Sequence, residues 1–294
     1  MSWVAIRDGI LSGIADAIRE KTGKTSTILP GEMAAEIESI ETGGGVTIDE
    51  IATATDNQVL GDTVTITART LAKYGLMGRA YKNVNISIAT IIPNYFFAES
   101  SVVSVTGDYT TLQDYAFQNC EDLESVDLDE VTVLGFCSFE GCKSLTEVTL
   151  PKMNNCGGTP FKSCTGIKKV DLSENHESFG NTVALIAGMT NLEEFIGPHI
   201  TSVRNSCFYN LSKLKSVICG GTIATRAFSS CSSLKTVSII GSTSINATAF
   251  YQCPAVTDIY VDFSAGDVSG APWGATTATI HYDTQFDDAG NIVT

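Results

Sequence analysis

Basic side chains are scarce in this sequence. Against 33 Asp and Glu there are 18 Lys and Arg, a formal charge of −15, which repels nucleic-acid phosphate and anionic lipid alike. Nucleic acid is therefore not an expected partner. No apolar run is long enough to span a bilayer, so no membrane insertion is expected. The first residues, Met1-Ser2-Trp3-Val4-Ala5-Ile6-Arg7-Asp8, reach an acid before an apolar run develops, so they do not read as a signal peptide. Histidine is rarer still. His176, His199 and His281 fall in different segments, and none is expected beside a nucleophile and an orienting carboxylate. Neither a Gly-x-Ser-x-Gly elbow nor a His-Glu-x2-His pair occurs. Gly23-Lys24-Thr25 mimics the end of a phosphate loop, but Ile18 stands where that loop needs glycine. Carboxylate pairs such as Asp127 with Asp129 read as solvated surface. An enzyme is the least favoured class, and no cofactor or metal is expected.

What the chain has in abundance is one phrase. Phe117-x2-Cys120-x2-Leu123-x2-Val126-x-Leu128 recurs as Phe139, Cys142, Leu145, Val148 and Leu150, and as Phe161, Cys164, Ile167, Val170 and Leu172. Two later copies start at Phe228 and Phe250, with Cys231 and Cys253 in the same slot. Two copies are worn: Phe208 with Leu211 in the Cys slot, and Ile186, Met189, Leu192, Phe195 and Gly197. The first positions, 117, 139, 161, 186, 208, 228 and 250, are separated by 22, 22, 25, 22, 20 and 22 residues. Self-similarity at such a period is the signature of a solenoid.

Leu-x2-Val-x-Leu predicts a short strand with its apolar side chains on one side, and the Phe and Cys slots supply the return of the coil. One coil cannot stand alone. Burying a Phe or Leu contributes roughly 1.5–3 kcal/mol, while ordering each residue's backbone costs roughly 1–2 kcal/mol. Stacked coils bury one another's faces and pair their strands into one parallel sheet. The phrase resembles the BspA-like leucine-rich repeats of bacteria and their phages, whose units read Ala-Phe-x2-Cys-x2-Leu-x2-Val-x-Leu. That resemblance covers about Val84 to Tyr282 and implies a mostly β solenoid of the α/β class, a stack of about eight coils.

Nine cysteines are too many by one for a complete disulfide framework, and no Cys-x2-Cys pair is present. Five of them, Cys120, Cys142, Cys164, Cys231 and Cys253, share one slot and read as small buried thiols filling a turn. Free buried thiols suit a reducing cytoplasm.

The N-terminal segment is different in kind. Val4 to Glu20 predicts an amphipathic helix with Ile6, Ile10, Leu11, Ile14 and Ile18 on one stripe, stopped at Gly23. After Pro30 a second helix, 31–40, carries Met33, Ala34 and Ile37. Two such helices are marginal alone. The stretch from Leu11 to Gly23 with Ile28 to Ile37 resembles a short module of tail and fibre proteins of Firmicutes phages and prophages. The resemblance implies a virion protein made in a host cytoplasm, docking through this module to other virion proteins. Ile6, Ile10, Ile14, Ile18, Met33 and Ile37 are the candidate assembly residues, and fibre proteins of this kind imply a homotrimer.

The chain thus divides into a helical assembly module at 1–42, a glycine hinge at 43–45, an N-terminal β cap at 46–83, the solenoid at 84–270 and a C-terminal cap at 271–294. Within the solenoid the register before Phe117 is one or two residues short, leaving Val102, Val103 and Val105 unassigned. An insertion falls in Ser173 to Gly180, a polar loop expected to bulge outward. Trp273 is expected to cover the last coil, Thr277 to Tyr282 to form a last strand, and Asp287 to Asn291 a turn.

Function should then lie on the outward slots of the strands. These are Ser125 and Asp127, Glu147 and Thr149, Lys169 and Asp171, Glu194 and Ile196, Ser216 and Ile218, Thr236 and Ser238, and Asp258 and Tyr260. The row is charged in the early coils and more apolar at Ile196, Ile218 and Tyr260, which suggests a contact patch. The candidate binding residues are Asp127, Glu147, Thr149, Lys169, Asp171, Glu194, Ile196, Ile218, Ser238 and Tyr260. Three roles fit: a tail-fibre or tail-tip adhesin for a bacterial surface protein or glycan, a structural virion component, or a bacterial adhesin or scaffold.

Overall fold

The computed structural model describes residues 63–66, 82–86, 90–176 and 182–293. The helical module, the glycine hinge and most of the expected N-terminal cap lie outside the described residues. In chain order the elements are β1 (Thr63–Ile66), β2 (Asn83–Ile86), β3 (Ile91–Ile92), β4 (Ser104–Gly107), β5 (Thr111–Leu112), β6 (Ser125–Val126), β7 (Val133–Leu134), β8 (Glu147–Thr149), β9 (Asn155–Cys156) and β10 (Lys169–Asp171). After them come α1 (Thr182–Ile186), β11 (Glu194–Gly197), β12 (Ser202–Val203), β13 (Ser216–Gly220), β14 (Thr222–Ile223), β15 (Thr236–Ile240), β16 (Asp258–Val261) and β17 (Thr279–His281).

They form a parallel solenoid of about nine turns. The main ladder follows the expected register: Val84 pairs with Val105 and that with Val126, while Val148, Val170, Phe195, Val217, Val237, Ile259 and Ile280 align in turn. Alternation puts these side chains into the core. β1 pairs with β2 in the same parallel sense, so the ladder begins one rung before Val84. β17 is the expected last strand. A second, narrower ladder, β3-β5-β7-β9, lines the adjoining side and resumes as β12-β14. Among the described residues no helix is long and apolar enough to cross a membrane.

The phenylalanine slot forms a buried column. Phe97, Phe117, Phe139 and Phe161 stack nearly parallel at 4.7, 4.9 and 5.1 Å between ring centroids, and Phe208, Phe228 and Phe250 do so at 4.9 and 5.1 Å. Each is fully buried. The column is broken where Ile186 takes the slot, and Phe195 closes the gap edge-on to Phe208 at 5.0 Å. A sharp turn brackets six of these seven rings: residues two before and two after hold φ between +48° and +78°, as in Tyr115 and Asn119, Cys137 and Gly141, Thr159 and Ser163, while at Phe250 only Gln252 does so. Side chains rarely adopt this left-handed region, and stacking against the next coil must over-determine it.

The cysteine slot is more than a small filler. Cys120, Cys142, Cys164, Cys231 and Cys253 each donate a thiol hydrogen bond to the carbonyl of the phenylalanine one coil earlier, Phe97, Phe117, Phe139, Phe208 and Phe228, at 2.9–3.1 Å. That carbonyl already accepts a backbone N–H from its own turn, as Phe117 does from Cys120. Both lone pairs of a buried acceptor are thereby satisfied. All nine cysteines are buried thiols. The short early coil also resolves: Ser100 takes the cysteine slot, its Oγ 3.5 Å from Cys120 Sγ. Val102 and Val105 point inward, and Gly107 stands in the last apolar slot, where a Cβ would lie 2.1 Å from the Ile86 carbonyl oxygen.

Of the polar insertion only residues 173–176 are described, and there Asn175 is buried, its amide donating to the carbonyls of Leu150 and Met153 at 2.9 and 2.8 Å. One expectation needs correction. The C-terminal segment is more than a cap. Trp273 is buried as expected, and the turn at Asp287 to Asn291 is present. Beyond β17, however, residues 285–293 pair Phe286 antiparallel with Ile292 and double back over the sheet. A Cβ built on the turn's Gly290 would lie 2.5 Å from Ile218 Cγ2 and 3.2 Å from Ile240 Cδ1 and Pro198 Cβ.

Two measurements test this core. Phe139→Ala removes a ring stacked on both sides and should cost about 3–5 kcal/mol in urea melts; a loss below about 1 kcal/mol would take the column out of the core. Burial also pushes the Cys120 thiol from 9.0 up to about 11. Below about pH 9 the thiol is neutral in both states; from about 9 to 11 the unfolded chain ionises first. Stability should therefore fall with rising pH in that window, by up to about 1.4 kcal/mol per unit from this thiol, and Cys120→Ser should show the shallower decline.

Candidate ligand-binding surface

The outward row of the main sheet splits in two. In its early half the side chains are accessible: Glu147 and Thr149 are exposed, and Asp127, Lys169, Asp171 and Glu194 are half-buried. Lys169 is engaged from both sides, 3.2 Å from Glu147 and 3.1 Å from Asp171. The hydrogen bonds and charge of these two carboxylates raise its pKa, the Asp171 contribution coming first. The lysine fixes these two carboxylates but neutralises only one of them, so with Asp127 and Glu194 the stripe stays acidic.

The later half is not the open apolar patch the sequence suggested. Ser238 is buried, Ile196, Ile218 and Tyr260 are half-buried, and the C-terminal hairpin sits against Ile218 and Ile240. Tyr260 stacks on His281 at 4.3 Å, and His281 Nε2 lies 2.8 Å from Asp258 Oδ1. The chain covers this stretch with its own terminus. Ser238 is therefore withdrawn as a contact residue, and the long row is not one continuous face.

The histidines correct a second expectation. His176 and His199 follow consecutive rungs, so their rings meet at 4.2 Å, with Asp288 beside both.

A band missed in the sequence lies on the turn side of the coils. Tyr95 and Tyr115 stack at 4.9 Å and 5° between planes, and Phe136 meets Tyr115 edge-on at 5.5 Å. Tyr95 and Phe136 are each 44% exposed. The core does not need them. They stand two or three residues before the buried rings of their coils, where the left-handed φ of Tyr95 and Tyr115 aims a side chain outward. Phe136 packs over Gly158, whose Cβ would stand 3.0 Å from the ring.

Gly158 and Thr159 in turn form one wall of an open groove of about 700 Å³. The groove lies between β9 and β12, beside α1; residues 177–181, where the repeat spacing would place the intervening rung of the second ladder, lie outside the described residues. Val183, Ala184 and Ala187 give it an apolar wall; Arg204, Asn205 and Thr222 give it polar groups. Three aromatic faces leading into a cleft with a guanidinium and an amide suit stacking against a sugar ring or an extended peptide.

The repeat phrase, the stacked column and the thiol ladder agree with a family match. The model described as "BspA type Leucine rich repeat region" matches six copies, over residues 90–215 and 185–269. The chain belongs to this family. No curated protein matches it. Similar solved structures include a leucine-rich repeat protein from Bacteroides ovatus, with 19% identity, 76% of each chain covered and a TM-score of 0.35. Another is an internalin from Listeria monocytogenes, with 13% identity, 94% of this chain and 95% of that chain covered and a TM-score of 0.38. A third is a leucine-rich cell surface protein from Faecalibacterium prausnitzii, with 18% identity, 75% and 83% covered and a TM-score of 0.27. In this BspA-type chain the family's motif accounts for the core residues. The aromatic band, the groove and the hairpin fall at positions the motif leaves unspecified.

Proposed function

We propose that this BspA-type solenoid is a recognition protein, not an enzyme: an adhesin that binds a bacterial surface protein or glycan. The observation that carries the reading is the aromatic band beside α1, in which exposed Tyr95 and Phe136 flank half-buried Tyr115 and lead into the groove. Solvent-held aromatics in a row are costly to leave bare unless a partner covers them. The polar stripe of Glu147, Lys169 and Asp171 flanks the main sheet as a secondary contact, with Asp127, Thr149 and Glu194 alongside.

The finer reading is a virion protein of the tail fibre or tail tip. The resemblance of residues 11–37 to phage tail and fibre modules supports it, as does a stripe of Ile6, Ile10, Ile14, Ile18, Met33 and Ile37 that calls for burial against copies of the chain or a virion protein. In this scheme the N-terminus docks, as a trimer, and the solenoid recognises the host.

Binding of the purified protein to cell walls of Firmicutes hosts tests the first reading. Tyr95→Ala combined with Phe136→Ala should weaken binding by at least about tenfold while leaving the urea midpoint within experimental error; unchanged binding would remove the band from the site. For the virion role, a phage encoding a chain without residues 1–45 should yield particles lacking this protein by mass spectrometry. Normal incorporation would refute the docking role.

A further inference from the structure

His176, His199 and Asp288 come from three places in the chain. His176 follows β10, His199 follows β11 one repeat later, and Asp288 is carried back by the C-terminal hairpin from beyond β17. Asp288 Oδ2 lies 3.5 Å from His176 Nε2, and its Oδ1 lies 3.8 Å from His199 Nε2. One ligand atom from each residue lies within 4.8 Å of the other two.

These are poor hydrogen bonds, and the three donors converge on one point. The His199 Nε2 is buried and has no hydrogen-bond partner, which is costly for a ring nitrogen. Ligands about 2.0–2.1 Å from a tetrahedral ion stand about 3.4 Å from one another, so a set spread over up to 4.8 Å draws in by up to about 1.4 Å on binding, a movement open to the exposed side chains of His176 and Asp288. The site is reached through a cleft of about 350 Å³ lined by His199, Asp262, Thr284, Asp287 and Asp288, and the surplus of acid over base draws cations towards it.

We propose that His176, His199 and Asp288 bind a divalent transition-metal ion that clasps the C-terminal hairpin onto the strand face. Two imidazoles and a carboxylate select zinc, nickel or copper over calcium or magnesium, which prefer all-oxygen sets. Three protein ligands leave a position for water. The ion would tie rungs β10 and β11 to a segment that arrives from the far end of the sheet, and so would hold Ile218 and Ile240 covered. This inference does not rest on the adhesin reading.

The test is calorimetric titration of the full chain with zinc at neutral pH, with the copper form examined by electron paramagnetic resonance. One equivalent should bind in about the micromolar range, the copper spectrum should show two imidazole nitrogens, and millimolar calcium or magnesium should not compete. His176→Ala with His199→Ala should weaken binding by about 100-fold, and Asp288→Asn by about tenfold. Asp288 is 80% exposed, so its variant stays folded if the double variant does not. Hydrogen exchange at amides 285–293 should slow on adding zinc to the native chain and not to the variants. Binding unchanged in both variants, a copper spectrum of sulfur ligation, or no binding below about 1 mM would overturn the site. Site-specific binding that leaves hairpin exchange unaltered would overturn the clasp.

Discussion

The buried carbonyl of the repeat phenylalanine is the point on which the stack depends. It sits in a turn made of left-handed residues, shut away from water, and the turn's own N–H satisfies only one of its lone pairs. A thiol from the next coil supplies the second donor. A cysteine suits this task because it is apolar enough for the core and still carries a proton to give. Ring stacking and thiol bonding thus act at the same residue and between the same two coils, which locks the register: a slip by one residue would lose both at once.

Continuity along the axis is shared between the main sheet and the ring column, which break in different places. The main sheet parts between β6 and β8, yet Phe117 stacks on Phe139 across that break and Cys142 bonds to Phe117. Near α1 the ring column is interrupted at Ile186, and there the main sheet runs unbroken through β10, β11 and β13. Ion pairs one repeat apart, such as Glu121 with Lys143 at 2.7 Å and Glu140 with Lys162 at 2.6 Å, decorate the same joints. Exposed pairs of this kind contribute about 0–1 kcal/mol each and mark the register more than they hold it.

The sequence made the core legible because periodicity is a property of each coil and its neighbours. Phe117, Cys142 and Val170 are where a 22-residue ruler puts them. The role of the thiols was hidden, since their partner is a backbone atom that no residue letter encodes. The aromatic band was hidden for a related reason: Tyr95, Tyr115 and Phe136 lie outside the motif, and only the turn's φ shows that they point to solvent. His176 and His199 did carry a signal, their separation of 23 residues being close to one repeat. The return of the hairpin to Ile218 carried none, because nothing local tells a tail which face it will cross.

Repeat proteins are usually free to change length, since each unit meets only its neighbours. Here the hairpin spans from β17 back to the rung of β11, four strand spacings or about 19 Å. Duplicating a coil between those rungs would move the anchor about 4.8 Å farther from a tail whose own length is unchanged. Coils added before β10 would cost the tail nothing. The terminus therefore acts as a gauge on the later half of the stack, and growth of this protein by unequal recombination is open at one end and closed at the other.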